Sequence, residues 1–72
     1  MSNTEKDIAK SIGEQIRSIR TSKGLSQKQL ADKMSVQQPV VSRLESGKHV
    51  PTWNSLNRVA DALDCTLVIA FD

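Results

Sequence analysis

Residues 25–48 read LSQKQLADKMSVQQPVVSRLESGK, and the beginning of this stretch carries the signature of a helix start. Ser26 precedes the helix and Gln29 follows three residues later, so each side chain can satisfy a backbone N–H that lacks a helical partner. The helix that follows spans only about two turns, which is too short for an isolated helix to be stable in water. It must therefore be held by packing against the rest of the chain.

A second short helix is predicted in the same stretch, over about residues 38–46. Pro39 is compatible only with the first turn of a helix, because its missing N–H would be unbonded there in any case. Gly47 suits the left-handed residue that ends many helices. The apolar side of this helix consists of Val40, Val41 and Leu44.

Helices are also predicted on both sides of this stretch. The first covers about residues 7–22, with Thr4 before it and Gly24 after it, and the last begins near Thr52. Trp53, at the start of the last helix, is expected in the core or in an interface. On the first helix the spacing of isoleucines predicts a buried stripe of Ile8, Ile12, Ile16 and Ile19. The corresponding stripe on the last helix is Leu56, Val59, Ala60 and Leu63.

Residues 65–72 form a separate segment after a helical domain of residues 1–64. This segment is rich in β-prone residues that are apolar on both faces, which predicts a strand of Leu67, Val68, Ile69, Ala70 and Phe71. Nothing else in the sequence reads as a strand, so the partner would come from a second copy, most simply as an antiparallel pair across a twofold axis. The alternative is a frayed apolar tail, which would be an aggregation hazard.

Length and cysteine content narrow the class of protein. A chain of 72 residues lies near the lower limit for a core that is stable unaided. Cys65 is the only cysteine, which excludes an intrachain disulfide and a cysteine-rich zinc site. A lone thiol without a secretory signal indicates the cytoplasm, and the longest apolar run is too short to cross a bilayer. Oligomerisation is then the expected stabilising device.

Positive charge is concentrated in the centre of the sequence. Residues 15–48 carry seven Lys and Arg residues against two acidic ones, a balance of +5, whereas the remainder has a balance of −3. A basic centre suits the binding of a polyanion on one face. Chance clustering on a solvated surface explains the charge about equally well.

In combination, these motifs resemble the lambda-repressor/Cro/Xre helix-turn-helix family over residues 13–64. The matched segments are Gly24-Leu25-Ser26-Gln27, Leu30-Ala31, Val36-Gln37-Gln38, Val41-Ser42-Arg43-Leu44-Glu45, Gly47-Lys48, Pro51, Leu56 and Ala60. The sequence departs from the family at Ser35, where glycine is usual, and at Gln37, where serine or threonine often caps the third helix. The resemblance implies an all-α domain of four to five short helices, with one C-terminal strand that pairs across a dimer.

The resemblance also implies roles for individual side chains, because the third helix of this family lies in the major groove of DNA. The residues expected to read bases are Gln37, Gln38, Pro39, Val40, Ser42 and Arg43. Those expected to contact phosphates are Ser26, Gln27, Lys28, Ser46 and Lys48. Arg20 and Glu45 match a pair that forms a salt bridge between the first and third helices in relatives.

The implied function is sequence-specific binding of double-stranded DNA by a homodimer, which represses its own operon at a near-palindromic operator. The sequence further resembles the antitoxins of operons that encode HipA-type kinases or HigB-type ribonucleases, which implies a toxin protein as a partner. A stand-alone Xre-type regulator without a toxin fits the residues nearly as well. A protein-only interaction module on the same scaffold is a further alternative.

An enzymatic activity is not expected. His49 and Cys65 fall in different predicted elements, so the sequence offers no nucleophile–base set, and it has no glycine-rich phosphate loop. No metal site and no cofactor are expected. The expected location is the cytoplasm, at the nucleoid.

Overall fold

The computed structural model describes residues 5–66, which form four helices. They are α1 (Glu5–Ser22), α2 (Gln27–Met34), α3 (Gln38–Ser46) and α4 (Trp53–Ala62). Within this range the fold is all-helical, as the sequence predicts. The predicted strand at residues 67–71 and the predicted helix start at Thr4 lie outside the described residues.

The first helix already includes Glu5 and Lys6, which precede its predicted start, and it ends where the sequence places its end. Glu5 and Asp7 in its first turn favour the positive end of the helix dipole. Gly24 follows the helix with a φ of +74°, a left-handed conformation that glycine adopts without a steric penalty. The turn is closed by the Leu25 N–H, which donates to the carbonyl of Arg20 over 3.1 Å.

The capping box predicted for α2 is present. The Gln29 N–H donates to Ser26 Oγ over 3.0 Å, and the Ser26 N–H donates to Gln29 Oε1 over 2.8 Å. At the other end, Ser35 occupies the left-handed region with a φ of +59°. A residue with a Cβ is disfavoured there by about 1–2 kcal/mol, so this turn is less stable than one made with glycine.

The remaining helix ends also follow local signals in the sequence. Gln37 precedes α3 without a capping hydrogen bond from its side chain, and Pro39 lies in the first turn of the helix. Gly47 ends α3 with a φ of +75°. Thr52 caps α4, because its Oγ1 accepts a hydrogen bond of 3.1 Å from the Ser55 N–H.

The core forms where α3 packs against α1 and α2 and where α4 packs against α2. Its most completely buried large side chains are Leu30, Val41 and Leu63, one each from α2, from α3 and from the end of α4. The other members of this cluster are Ile16, Ala31, Met34, Leu44 and Val59. None of the helices within residues 5–66 is long and apolar enough to span a membrane.

The isoleucine stripe predicted on α1 is partly wrong. Ile8 is 45% exposed, and Ile12 and Ile19 are half-buried at the edge of the core. The buried residues of α1 are Ala9, Gly13, Ile16 and Arg20. The contact line of α1 therefore includes small residues, because its backbone approaches another helix too closely for larger side chains.

That close approach is at Gly13, which lies against the C-terminal end of α3. A Cβ added to Gly13 would lie 2.8 Å from the carbonyl oxygen of Glu45 and 3.1 Å from the backbone nitrogen of Gly47. Real Cβ atoms essentially never approach other heavy atoms as closely as the first of these distances. Only glycine therefore lets α1 and α3 meet at this distance.

The buried stripe predicted on α4 is correct only in its C-terminal half. Val59, Ala60 and Leu63 are buried, but Leu56 is half-buried. Trp53 is 59% exposed, so its predicted place in the core is wrong for a single chain. Both residues lie in the N-terminal part of α4, whereas only the C-terminal part of this helix packs into the core.

Candidate nucleic-acid interface

The outward face of α3 carries the side chains expected to read bases. Val41 and Leu44 are buried and thereby fix the orientation of the helix about its own axis. All the residues that the sequence assigns to base reading are exposed as a result. They are Gln37, Gln38, Pro39, Val40, Ser42 and Arg43.

The five residues expected to contact phosphates have different surroundings. Lys48 is exposed, and Lys28 is exposed beside Asp32 at a distance of 3.7 Å between Nζ and Oδ2. Ser26 is exposed, and its Oγ accepts the capping hydrogen bond of α2. The hydroxyl of Ser46 donates to the carbonyl of Arg43 over 2.7 Å, so its only hydrogen is already in use.

The fifth of these residues, Gln27, faces inward more than the sequence suggests. Its side chain is half-buried at the first residue of α2. Gln27 Nε2 donates to Glu45 Oε1 over 3.2 Å, and Gln27 Oε1 accepts from Gln38 Nε2 over 3.5 Å. The carboxamide of Gln27 thus contacts two residues of α3, Glu45 near the end of the helix and Gln38 at its start.

The anchor of this arrangement is an ion pair between Arg20 and Glu45. Arg20 Nε donates to Glu45 Oε2 over 2.6 Å, and Arg20 Nη2 donates to Glu45 Oε1 over 3.1 Å. The third nitrogen, Nη1, donates to the Leu25 carbonyl over 2.7 Å. Arg20 is only 8% exposed, so the pair joins α1 to α3 in a largely dry environment.

The ion pair changes the pKa of the Arg20 guanidinium. The hydrogen bond with Glu45, together with the negative charge of its carboxylate, raises the pKa of Arg20 above its ordinary value, although burial acts in the opposite direction. Arg20 therefore stays protonated and remains a donor under all ordinary conditions. Within residues 5–66, every buried side-chain nitrogen or oxygen atom has a hydrogen-bond partner.

A polar chain consequently runs through three helices, in the order Arg20, Glu45, Gln27, Gln38. We call these four residues the relay. It begins on α1, passes the end of α3 and the start of α2, and reaches the exposed start of α3. The family resemblance indicates the first pair, but no spacing in the sequence indicates the contacts of Gln27, because these depend on how α2 and α3 cross.

Arg58 is a second residue whose role the sequence does not reveal. Its Nη2 donates to the carbonyl of Met34 over 2.8 Å, which ties α4 to the last residue of α2. Lys33 and Asp61 lie beside it around a shallow hollow that is open to solvent. No group of three or more His, Cys, Asp or Glu residues that could hold a metal occurs within the described part of the chain.

Comparison with known proteins agrees with this fold. Residues 16–69 match the HTH_3 family model, which describes a helix-turn-helix. The chain is similar to the HTH-type transcriptional activator BcrR from Enterococcus faecalis, with 35% identity over 56 residues. That match covers 78% of this chain and only 28% of BcrR, so the chain spans less than a third of the length of this relative.

Two solved structures share the architecture. The restriction-modification controller protein C.AhdI from Aeromonas hydrophila superposes with a TM-score of 0.81 at 28% identity, over 89% of this chain and 93% of that one. A chain of a HipA-HipB-O2-O3 complex superposes with a TM-score of 0.74 at 15% identity, over 99% and 96%, which is a likeness of fold alone. Since the family match covers well over half of its residues, the chain belongs to the HTH_3 helix-turn-helix family.

Proposed function

We propose that this protein binds double-stranded DNA in a sequence-specific manner and regulates transcription, with α3 as the helix that enters the major groove. The observation that carries the proposal is the exposed face of α3, on which Gln38 and Arg43 face solvent while Val41 and Leu44 on the opposite face are buried in the core. A helix packed in this way presents its polar side chains to a groove of matching width.

The exposed side chains of α3 suit different bases. The carboxamide of Gln38 fits the N6 and N7 atoms of adenine, and the guanidinium of Arg43 fits O6 and N7 of guanine. Pro39 and Val40 offer only apolar contact, which suits the methyl group of thymine. Gln37 and Ser42 complete the reading surface with shorter or more peripheral hydrogen-bonding groups.

Phosphate contacts would hold α3 in register with the DNA. The N-terminal turn of α2 presents backbone N–H groups next to Gln27 and Lys28, and phosphates are favoured at such a helix end. Lys48 follows α3 and is exposed, so it would approach the DNA backbone from the other end of the helix. Ser26 and Ser46 are the remaining candidates, and the Ser46 hydroxyl would have to turn away from the Arg43 carbonyl to donate to a phosphate.

The protein would act as a homodimer on a near-palindromic operator. Two copies of α3 related by a twofold axis would enter successive major grooves roughly 34 Å apart. The strand proposed at residues 67–71, outside the described residues, would pair with its counterpart in the second copy. This arrangement agrees with the small size of the chain, because a dimer interface adds buried apolar area that one copy lacks.

The direction of regulation depends on where the operator lies. Bound over the promoter, the dimer would repress by excluding polymerase, and we propose such autoregulatory repression. The similar protein BcrR is named as an activator, so activation from an upstream site is the alternative outcome. A reporter driven by the promoter of the protein's own operon, with and without the protein, distinguishes the two.

An antitoxin role is the narrower form of this proposal. It is supported by the resemblance of the sequence to antitoxins and by the fold shared with a chain of the HipA-HipB-O2-O3 complex. A stand-alone regulator is the competing form. Co-purification of the tagged protein with the products of adjacent genes, followed by a growth test of those products alone, decides between them. A toxic partner that the protein neutralises supports the antitoxin role.

The central experiment is binding to duplex DNA. The purified protein is titrated against DNA from its own promoter region at several salt concentrations, with a scrambled duplex as competitor. Protection of two half-sites about one helical turn apart is expected. Weak binding that is the same for both duplexes would contradict base reading by α3 and favour a protein-only interaction module. For a Gln38→Ala variant in the same titration, Gln15→Ala is the matched control. Gln15 is an exposed glutamine of α1, and its side chain donates to Ser11 on the same helix.

A further inference from the structure

We propose that Lys6 and Lys10, at the start of α1, bind the phosphate backbone of DNA beside the phosphate that Lys48 contacts. This inference rests on the proposed function, because it extends the DNA-binding surface of the same protein from α2 and α3 to α1. The family model matches residues 16–69, so both lysines precede the matched part of the chain. The set of phosphate-binding residues predicted from the sequence contains neither of them.

The first step is the position of Lys10 beside the end of α3. A Cβ added to Gly47 would lie 3.0 Å from the Cα of Lys10, so the backbone of α1 touches the turn that ends α3. Gly13, about one turn further along α1, meets the same turn, because its added Cβ would lie 3.1 Å from the backbone nitrogen of Gly47. Lys48 directly follows Gly47. The side chains of Lys10 and Lys48 therefore start from neighbouring backbone positions, and both are exposed.

The second step is the side of α1 on which the two lysines lie. The buried residues of α1 form one line along the helix, and they are Ala9, Gly13, Ile16 and Arg20. With 3.6 residues per turn, Ile12 and Ile19 flank this line on one side, where they pack at the edge of the core. Lys6 and Lys10 flank it on the other side. Since the core lies behind α3, the side of α1 away from the core is the side of the exposed face of α3.

The third step is the reach of Lys6. The 18 residues of α1 make a helix of about 27 Å, whereas the other three helices have only 8–10 residues each. Residues 5–8 are all exposed, so the first turn of α1 projects past the end of α3. Lys6 precedes Lys10 by four residues, which places it on the same face and about 6 Å further out. The two lysines form a row that starts beside Lys48 and leads away from α3.

The fourth step is the charge of this row. Within residues 5–66, neither Lys6, Lys10 nor Lys48 takes part in an ion pair. Asp7 and Glu14 lie further round α1 from α3, so the lysines are the charged groups of this side that are nearest to Lys48. Three cations at one end of the domain repel one another and attract a polyanion. Each strand of DNA carries a negative charge at every nucleotide, so a row of lysines can neutralise successive phosphates.

The test begins with the salt dependence of binding to a duplex that the wild-type protein selects from a randomised library. Lys10→Gln removes the charge and keeps a good helix former. It should reduce the slope of log K against log salt concentration by about 0.9 and weaken binding about fivefold to tenfold near 0.1 M salt. Lys6→Gln should act in the same direction. Lys33→Gln, which removes an exposed cation at the far end of α2, is the matched control and should leave the slope unchanged.

A second measurement locates the contact on the DNA. Duplexes are synthesised in which one phosphate at a time is replaced by a neutral methylphosphonate. The replacement at the phosphate that Lys10 binds should weaken binding of the wild type and have no effect on Lys10→Gln. The same series with Lys48→Gln identifies the phosphate of Lys48. The two phosphates should be identical or adjacent on one strand, because the two side chains start from neighbouring backbone positions. Losses that simply add at every phosphate would show that Lys10 contacts none of them and would overturn the inference.

The outcomes separate the inference from the proposed function. Sequence-specific binding by the wild type with an unchanged salt slope in Lys6→Gln and Lys10→Gln would overturn the role of α1 and leave base reading by α3 standing. Loss of affinity for an acidic protein, with DNA binding intact, would overturn it as well. If the wild type selects no sequence from the library, the proposed function itself fails. The slope measured on any duplex then still tests Lys10, because phosphate contacts do not depend on base sequence. Equal thermal unfolding midpoints of the variants and the wild type exclude misfolding as the cause of a changed slope.

Discussion

Gly13 of α1 lies so close to Glu45 of α3 that a Cβ on the glycine would be 2.8 Å from the carbonyl oxygen of the glutamate residue. The two helices approach each other through backbone atoms at this point. The same approach brings Arg20, two turns further along α1, within hydrogen-bonding distance of the Glu45 carboxylate. A small residue in the first helix is therefore a condition for the buried ion pair.

Gly13→Ala should destabilise the protein by about 1–3 kcal/mol, because backbone atoms on α3 must move to admit the methyl group. Helix propensity acts in the opposite direction, since alanine is favoured over glycine by about 1 kcal/mol within a helix. A net loss therefore reports the contact. Urea unfolding followed by circular dichroism measures it, and Ser18→Ala on the exposed side of α1 is the control, with an expected change within about 0.5 kcal/mol. A stabilised Gly13→Ala variant would contradict the close approach.

Ser35→Gly should stabilise the protein by about 0.5–1 kcal/mol, because glycine adopts the left-handed backbone at the end of α2 without the penalty of a Cβ. Glycine also loses more entropy on folding, which keeps the gain small. The measurement is the midpoint of thermal unfolding. Ser18→Gly in α1 should shift the midpoint in the opposite direction, and equal shifts for the two variants would show that the conformation of Ser35 carries no strain.

Arg20→Met and Glu45→Gln should each destabilise the fold by about 3–5 kcal/mol, since each leaves a buried group of the ion pair without its partner. The double variant should lose much less than the sum of the two. A double-mutant cycle from denaturant unfolding tests this, and additive losses would mean that the two groups do not interact.

Because the pKa of Arg20 is raised, its contribution to the free energy of unfolding is present below the ordinary pKa of arginine and is lost only above the raised value. The ion pair therefore adds no pH dependence to the stability at neutral pH.

Arg43→Ala and Lys48→Ala should weaken DNA binding in different ways. Loss of Arg43 should relax the preference at one base pair in each half-site by about 1–3 kcal/mol, whereas loss of Lys48 should weaken binding to all sequences and reduce the salt slope by about one. Competition with single-base operator variants at several salt concentrations separates the two effects. Lys33→Ala, at the far end of α2 from its capped start, is the charge-matched control. If Arg43 and Lys48 affected every sequence alike, their assignment as reader and positioner would be wrong.

Removal of residues 66–72 should lower both the oligomeric state and the affinity for a two-half-site operator, because the proposed strand would no longer pair. Sedimentation equilibrium measures the first effect and DNA titration the second. Binding to a single half-site should change little, which provides the internal control. A truncated protein that remains fully dimeric would exclude pairing through this segment.

Local chemistry explains which parts of the fold were predictable. The capping box of Ser26 and Gln29, the place of Pro39 in the first turn of α3 and the left-handed Gly24 depend on residues at most a few positions apart. Such interactions are encoded by short stretches of sequence, so the helices were located within one or two residues of their ends. The left-handed Ser35 was indicated by the family resemblance, because glycine is usual at that position.

Most contacts between distant segments could not be predicted from the sequence. The exposure of Ile8, the backbone contact of Gly13 and the hydrogen bond from Arg58 to the Met34 carbonyl depend on the angle and distance at which two helices meet. Periodicity predicted a face of α1 for burial but not the part of that face that would touch α3. Only a family resemblance indicated the pairing of Arg20 with Glu45, which are 25 positions apart.

In the proposed reading surface, too, some features were predictable from the sequence and others depended on how the helices pack. The residue types at the start of α3, their exposure and the positions of the helix ends followed from the sequence, since Pro39 and the buried pair of Val41 and Leu44 orient that helix through local geometry. The hydrogen bonds that Gln27 makes to Glu45 and to Gln38 were decided by the packed fold, because only the crossing of α2 and α3 brings the three side chains together.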